Sequence, residues 1–117
     1  MNQWYFQRMV RLSVMYHAIP GSRFDWNYYI GQHLELSRKL LNPRGLVRTE
    51  IDKGLAGFPP GTPPPYHAVG HLFFRTMADM ENALAATAAD FIADERNYTD
   101  GPSVVQISEA VESELHT

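Results

Sequence analysis

Imidazole is the group through which this chain could do chemistry near neutral pH, because the sequence holds five histidines and no cysteine. The missing cysteine removes disulfides, iron–sulfur clusters, thiolate zinc sites and thiol nucleophiles together. The most informative histidine is His33. At about 100° per residue it falls roughly 20° from Trp26, inside a stripe that includes Tyr29, Ile30, Ser37, Leu40 and Leu41. Asn27, Gly31, Glu35, Arg38 and Lys39 take the opposite side, so the stripe is the face that must be buried. Tyr29 lies one turn before His33 and Ser37 one turn after, which lines three polar-tipped groups along one ridge. Such a histidine is either a core residue satisfied by a hydrogen bond or a proton donor, base or haem ligand in an apolar pocket. Trp26 and Tyr29 would then form an aromatic wall. A dyad with Asp25, Glu50 or Asp52 would require tertiary contact, and such a carboxylate would poise the ring as an acid/base.

Two further histidines, His67 and His71, imitate the spacing of the H-E-x-x-H zinc motif without its glutamate. Their segment reads as a strand, where residues four apart lie roughly 13 Å from each other, too far to share an ion. No metal site is expected. Both histidines, with Phe73, are instead expected to reach the His33 pocket from the sheet side. No G-x-G-x-x-G, G-x-x-x-x-G-K-[ST] or G-x-S-x-G occurs, which removes the usual dinucleotide, nucleoside triphosphate and serine-hydrolase signatures.

The elements that must position these groups follow from periodicity. Residues 8–17 alternate, with Val10, Leu12, Val14 and Tyr16 on one side, and predict a strand. Residues 25–41 switch to helical period behind Asp25 as cap, and Pro43 and Gly45 end them. Residues 46–53 alternate again. Residues 54–65 hold five prolines and three glycines, and predict a semi-rigid surface excursion at the pocket rim. Residues 66–75 form the most apolar strand, expected at the centre of the sheet. Thr76 and Asp79 open a helix over 77–94 whose face carries Met80, Ala83, Leu84, Thr87, Ala88, Phe91 and Ile92. A last strand covers 103–109. The order β-α-β-β-α-β is the split-βαβ, ferredoxin-like pattern, an α+β sandwich. Val69 and Phe73 point opposite to Leu72 and Phe74, so the uncovered sheet face also reads as apolar and predicts a homodimer.

At 117 residues, with 44% hydrophobic and 20% charged residues, the chain fits one ordinary globular domain over 1–117. Residues 1–77 carry nine Lys/Arg against four Asp/Glu, and residues 78–117 carry one against nine. The basic residues are scattered, so no nucleic-acid partner is expected. No apolar run approaches the length of a membrane span, and the first eight residues lack the pattern of a signal peptide, so a cytoplasmic protein without a membrane partner is expected.

The run Pro20-Gly21-Ser22-Arg23-Phe24-Asp25-Trp26-Asn27-Tyr28-Tyr29, followed by Gly31-Gln32-His33-Leu34, resembles the EthD-like proteins linked to ethyl tert-butyl ether degradation. The resemblance continues through Gly45-Leu46-Val47, Gly54-Leu55-Ala56-Gly57, Pro65 to Leu72, and Asn97-Tyr98-Thr99-Asp100. It implies a dimeric α+β barrel, with two ferredoxin-like sheets face to face and helices outside. Its superfamily includes polyketide monooxygenases and cyclases, lactone isomerases and haem-dependent enzymes, and the family itself is often labelled reductase. Many members have His-x-Pro where this chain has His33-Leu34-Glu35, so the helix is expected to run straight past the histidine. The reading that results is a small accessory enzyme, an oxidoreductase in the family's labelling, acting on an apolar or aromatic metabolite. Its pocket would be lined by Trp26, Tyr29, Ile30, His33, Ser37, His67, His71 and Phe73, with His33 as acid/base and Tyr29 as orienting donor. No cofactor is expected. The rival readings are a non-catalytic carrier serving an oxygenase system, and haem bound through His33.

Overall fold

A computed structural model describes residues 9–116; Arg8, at the start of the expected first strand, lies outside them. Four strands form one antiparallel sheet in the order β2-β3-β1-β4: β1 Val10–His17, β2 Arg48–Lys53, β3 Tyr66–Phe74 and β4 Ser103–Glu109. A first helix joins β1 to β2 and a second helix, Met77–Glu95, joins β3 to β4. This is the ferredoxin-like arrangement, in which β1 and β2 are separated by β3. The central position of β3 agrees with its apolar sequence.

Parity in the ladders decides which side chains face the helices. Val10, Leu12, Val14 and Tyr16 of β1 stand opposite Phe74, Leu72, Gly70 and Ala68 of β3, and these rows carry the core. Phe74, Met80, Leu41 and Ala83 are completely or almost completely buried, and the larger three each contribute about 1.5–3 kcal/mol of apolar transfer energy. Toward the other end of the sheet, Tyr16, Tyr29, Ala68 and Tyr98 form a second cluster. Thr76 accepts from Asp79 N at 3.0 Å and caps the second helix.

The other face of the sheet is not the apolar surface expected. It presents Arg11, Ser13 and Met15 from β1, Arg48, Glu50 and Asp52 from β2, and Val69, His71 and Phe73 from β3. The guanidinium groups of Arg11 and Arg48 lie 5.2 Å and 4.4 Å from the centre of the Phe73 ring and cover it.

The first helix also departs from expectation. It begins as Trp26–Tyr28, passes through a π-helical turn at Tyr29–His33, and continues as Leu34–Leu41. A π turn inserts one extra residue, so the buried face steps forward by one position across it. Leu34 is therefore buried and Ile30 is 47% exposed. In the second helix Ile92 stays 76% exposed, because that helix does not cover β4. No described helix is long and apolar enough to cross a membrane.

Candidate functional site

The loop between β1 and the first helix is stitched to the segment that follows the second helix, and this join builds the site. Phe24 and Thr99 form an isolated antiparallel bridge. Asp25 N donates to Tyr98 O at 2.7 Å, Arg23 N donates to Asp100 Oδ1 at 2.7 Å, and Thr99 Oγ1 donates to Arg23 O at 2.7 Å. Asp25 then caps the first helix by accepting from Tyr28 N. The two sequence runs at 20–34 and 97–100 are thus one structural unit, which sets Tyr98 and the end of the second helix against His33.

The carboxylate beside His33 is Asp94, not Asp25, Glu50 or Asp52. His33 Nδ1 donates to Asp94 Oδ2 at 2.8 Å. The other oxygen, Oδ1, accepts from the Tyr28 hydroxyl at 2.6 Å and from Asn97 Nδ2 at 3.0 Å. Burial works to raise the Asp94 pKa, but these three donors outweigh it and hold the group below the ordinary carboxylate value. An ionised carboxylate only accepts, so the proton on a neutral His33 ring sits on Nδ1 and leaves Nε2 as an acceptor. Nε2 lies 3.5 Å from the Tyr98 hydroxyl, which in turn lies 2.8 Å from the Tyr16 hydroxyl. Tyr29 stacks on the imidazole at 5.2 Å between ring centres.

Asp94 stands behind the imidazole, while His33, Tyr16, Tyr29 and Tyr98 border a cavity of about 310 Å³ between the first helix, the second helix and the sheet, within the size range of small-ligand pockets. Its walls are mostly apolar, including Leu12, Val14, Leu34, Leu72, Leu84 and Phe91. Ile92 and Glu95 of the second helix, with Ser103 and Val105 of β4, also border it; Ile92 and Val105 are exposed, which marks this side as the mouth. No Lys or Arg borders the cavity among the described residues. Small residues in β3 make room beneath it. A Cβ on Gly70 would stand 2.5 Å from the Tyr29 hydroxyl, so any side chain there would displace that phenol.

Of the expected site residues, Tyr29, His33 and Ser37 come together on the cavity, although Ser37 spends its hydroxyl on His33 O. Ile30 is turned outward by the π turn. Trp26 is half-buried against Phe24 and Tyr29, outside the cavity wall. His67 lies at the end of β3, stacked on Phe24 and bonded to Ser22. Phe73 is on the outer sheet face. His71 borders the cavity, but its register with Ser13 and Glu50 puts the imidazole on the outer face. There it joins Ser13 Oγ at 2.7 Å and Asp52 Oδ2 at 3.0 Å. That serine–histidine–aspartate row lacks an oxyanion pocket, since Ser13 sits in mid-ladder between β3 and β4. The Pro-rich segment takes no part in the cavity wall, which overturns its expected place at the rim.

Tyr16, Asp94 and Tyr98 were beyond sequence reasoning as site residues, apart from the place of Tyr98 in the Asn97–Asp100 run. Haem does not fit His33: Tyr98 roofs Nε2, Tyr29 covers the ring, and the cavity is at the small end for a ligand. Among the described residues no group of three His, Asp or Glu side chains is placed to hold a metal ion.

Comparison with known proteins adds a family context. The family model described as the EthD domain matches residues 22–102. A solved EthD-like protein from Ralstonia eutropha JMP134 is 33% identical, with a TM-score of 0.83 over 93% of this chain and 97% of that one. An ethyl tert-butyl ether (EthD) family protein from Bacillus halodurans C-125 shares the fold at 18% identity, with a TM-score of 0.62 over 88% of this chain and 99% of that one. A dabb family protein with a ferredoxin-like fold from Mesorhizobium loti MAFF303099 does so at 17% identity, with a TM-score of 0.51 over 91% and 100%. No curated protein matches the chain.

Proposed function

The chain belongs to the EthD family, and from that premise we propose that it binds an apolar or aromatic metabolite in the helix–sheet cavity and exchanges a proton with it through His33. The observation that carries this reading is the Asp94–His33 pair opening into a cavity whose remaining wall is mainly apolar. An apolar wall selects by burial, and one oriented imidazole supplies acid/base chemistry where water is scarce. Asp94 is a positioning residue, fixing the tautomer and compensating charge when Nε2 takes a proton. Tyr29 is the orienting donor. In this reading the protein works as a cytoplasmic homodimer, as an accessory enzyme beside an oxygenase or reductase in a degradation or secondary-metabolite route.

His33→Ala is the test. The enzyme reading predicts that turnover falls by about a hundredfold or more while the ligand still binds, because general acid–base catalysis contributes roughly 10²–10⁴. A variant that loses only affinity would assign the cavity to a carrier instead.

A further inference from the structure

The edge strand β4 carries apolar side chains that the described part of the fold leaves uncovered. In its ladder with β1, Val105 stands opposite Val14 and Ile107 opposite Leu12. Directly paired residues share a face, so both β4 side chains point to the helix side. The second helix does not reach over them: Val105 is 54% exposed and Ile107 45%. Apolar surface left in water is unfavourable, and a contiguous patch of it marks a binding groove.

These residues continue the cavity. Leu12 and Val14 line it, as do Val105 from β4 and Leu84, Ala88 and Ile92 from the second helix. Ile107 is the next residue of β4 on the same face and lies just beyond the wall. The open side is therefore a trough, with Leu12 and Val14 as its floor and β4 and the second helix as its banks. From Val105 to Ile107 it runs about 7 Å, away from Ser103 and Tyr16 at the polar end. The C-terminal tail does not fill it, since Val111 and Leu115 are themselves exposed.

Charge selects the occupant. Glu95 accepts from Ser103 Oγ at 3.0 Å and borders the cavity end of the trough. Glu109 follows Ile107 in the same row. A chain ending in a carboxylate would meet these acids with no Lys or Arg on the cavity wall to offset them. A second copy suits the trough poorly, because both banks come from residues 78–117, which hold one Lys/Arg against nine Asp/Glu. Two such surfaces would set like charges against each other.

We infer that the ligand carries an uncharged apolar chain too long for the cavity, which leaves by the open side and lies along Val105 and Ile107. This rests on the proposed ligand cavity and adds the class of molecule, a compact head with a neutral hydrocarbon tail.

The probes are para-alkyl acetophenones with chains from methyl to hexyl, titrated calorimetrically into the full chain. A methylene moved wholly out of water gains roughly fourfold in affinity. A trough covers a chain on one side only, so about twofold is expected for each carbon added. Ile107→Thr keeps the β-branch outside the cavity wall and should bind the methyl member within about twofold of the unaltered protein. Its longer members should lose their gain. Val104→Thr, on the same strand but opposite Met15 on the other face, should leave the series unchanged. A chain of hexyl length ending in a carboxylate should bind no better than the methyl member, and one that keeps the gain overturns the uncharged tail. A flat series with the methyl member still bound, or a rise that Ile107→Thr does not blunt, overturns the tail and leaves the cavity standing. Sedimentation that falls from dimer to monomer on Ile107→Thr, with the series unaltered, gives the trough to a second copy and overturns the inference. Failure of every member to bind removes cavity and tail together.

Discussion

Asp94 concentrates the electrostatics of the site in one carboxylate, which holds His33, Tyr28 and Asn97 at once. Its depressed pKa has a definite sign. The folded state binds the Asp94 proton less tightly than the unfolded chain does, so its stabilisation is fully present above the unfolded value near 4. It is lost as pH falls through that value and on past the folded one. Asp94→Asn removes this dependence, since an amide does not titrate there. We expect the variant to lose about 1–3 kcal/mol at neutral pH and to show a flatter decline in thermal stability on acidification. An unchanged acid limb would mean that the Asp94–His33 pair is not formed in solution. His33 was legible as the centre of an apolar stripe, but its partner was not. The two residues are 61 apart in sequence, and the tertiary join of residues 23–25 to residues 98–100 brings their elements together.

Strand and helix positions were legible because each buries one face, so hydrophobic period reports the element. Ser103–Glu109 and Met77–Glu95 fall within a residue of where alternation and capping predict them. The π turn was not legible. Its extra residue answers to packing, where the His33 ring must meet Asp94 and Tyr29 must reach the space above Gly70. Which parity of β3 faces the helices was equally closed to sequence reasoning, because both rows are apolar. Val69, His71 and Phe73 face out, while Leu72 and Phe74 face in with Ala68 and Gly70, whose small size gives space to Tyr16 and Tyr29. The Pro-rich connection from Gly54 to Pro65 is a surface excursion as its composition predicts, closed by Gly57 N donating to Thr62 O at 2.9 Å, with Phe58 91% exposed. Deleting Phe58–Gly61 should therefore lower the melting temperature by only a few degrees, on the order of 1 kcal/mol for a domain of this size. Because the segment does not line the cavity, ligand affinity should stay within about twofold, measured by calorimetric scanning and titration. A loss of ligand binding with folding intact would restore it to the rim.

At the scale of the molecule, the two helices shelter one face of the sheet and leave the other in need of an occupant. That outer face carries Arg11 and Arg48 as well as Glu50 and Asp52 around Met15, Val69 and Phe73, with Arg48 bonded to Glu50. Both signs of charge on one patch suit a self-complementary, two-fold contact better than a uniformly charged partner. We expect a homodimer through this face that buries more than about 1,200 Å², the lower bound for stable association. Sedimentation at micromolar concentration should show it, and a single species at 13.3 kDa would contradict it. In such a dimer the cavity would stay on the helix side, so assembly and the proposed chemistry would use opposite faces of the same four strands. The central claim is that the helix–sheet space is a ligand site with His33 and the tyrosine hydroxyls at its polar end. A crystal structure of the protein soaked in p-nitrophenol tests it most directly. The account predicts the ring among Leu12, Leu72, Leu84 and Phe91, with its oxygen at the polar end lined by His33, Tyr16, Tyr29 and Tyr98. Electron density for the probe only at the outer sheet face, with the cavity collapsed by its own side chains, would contradict it.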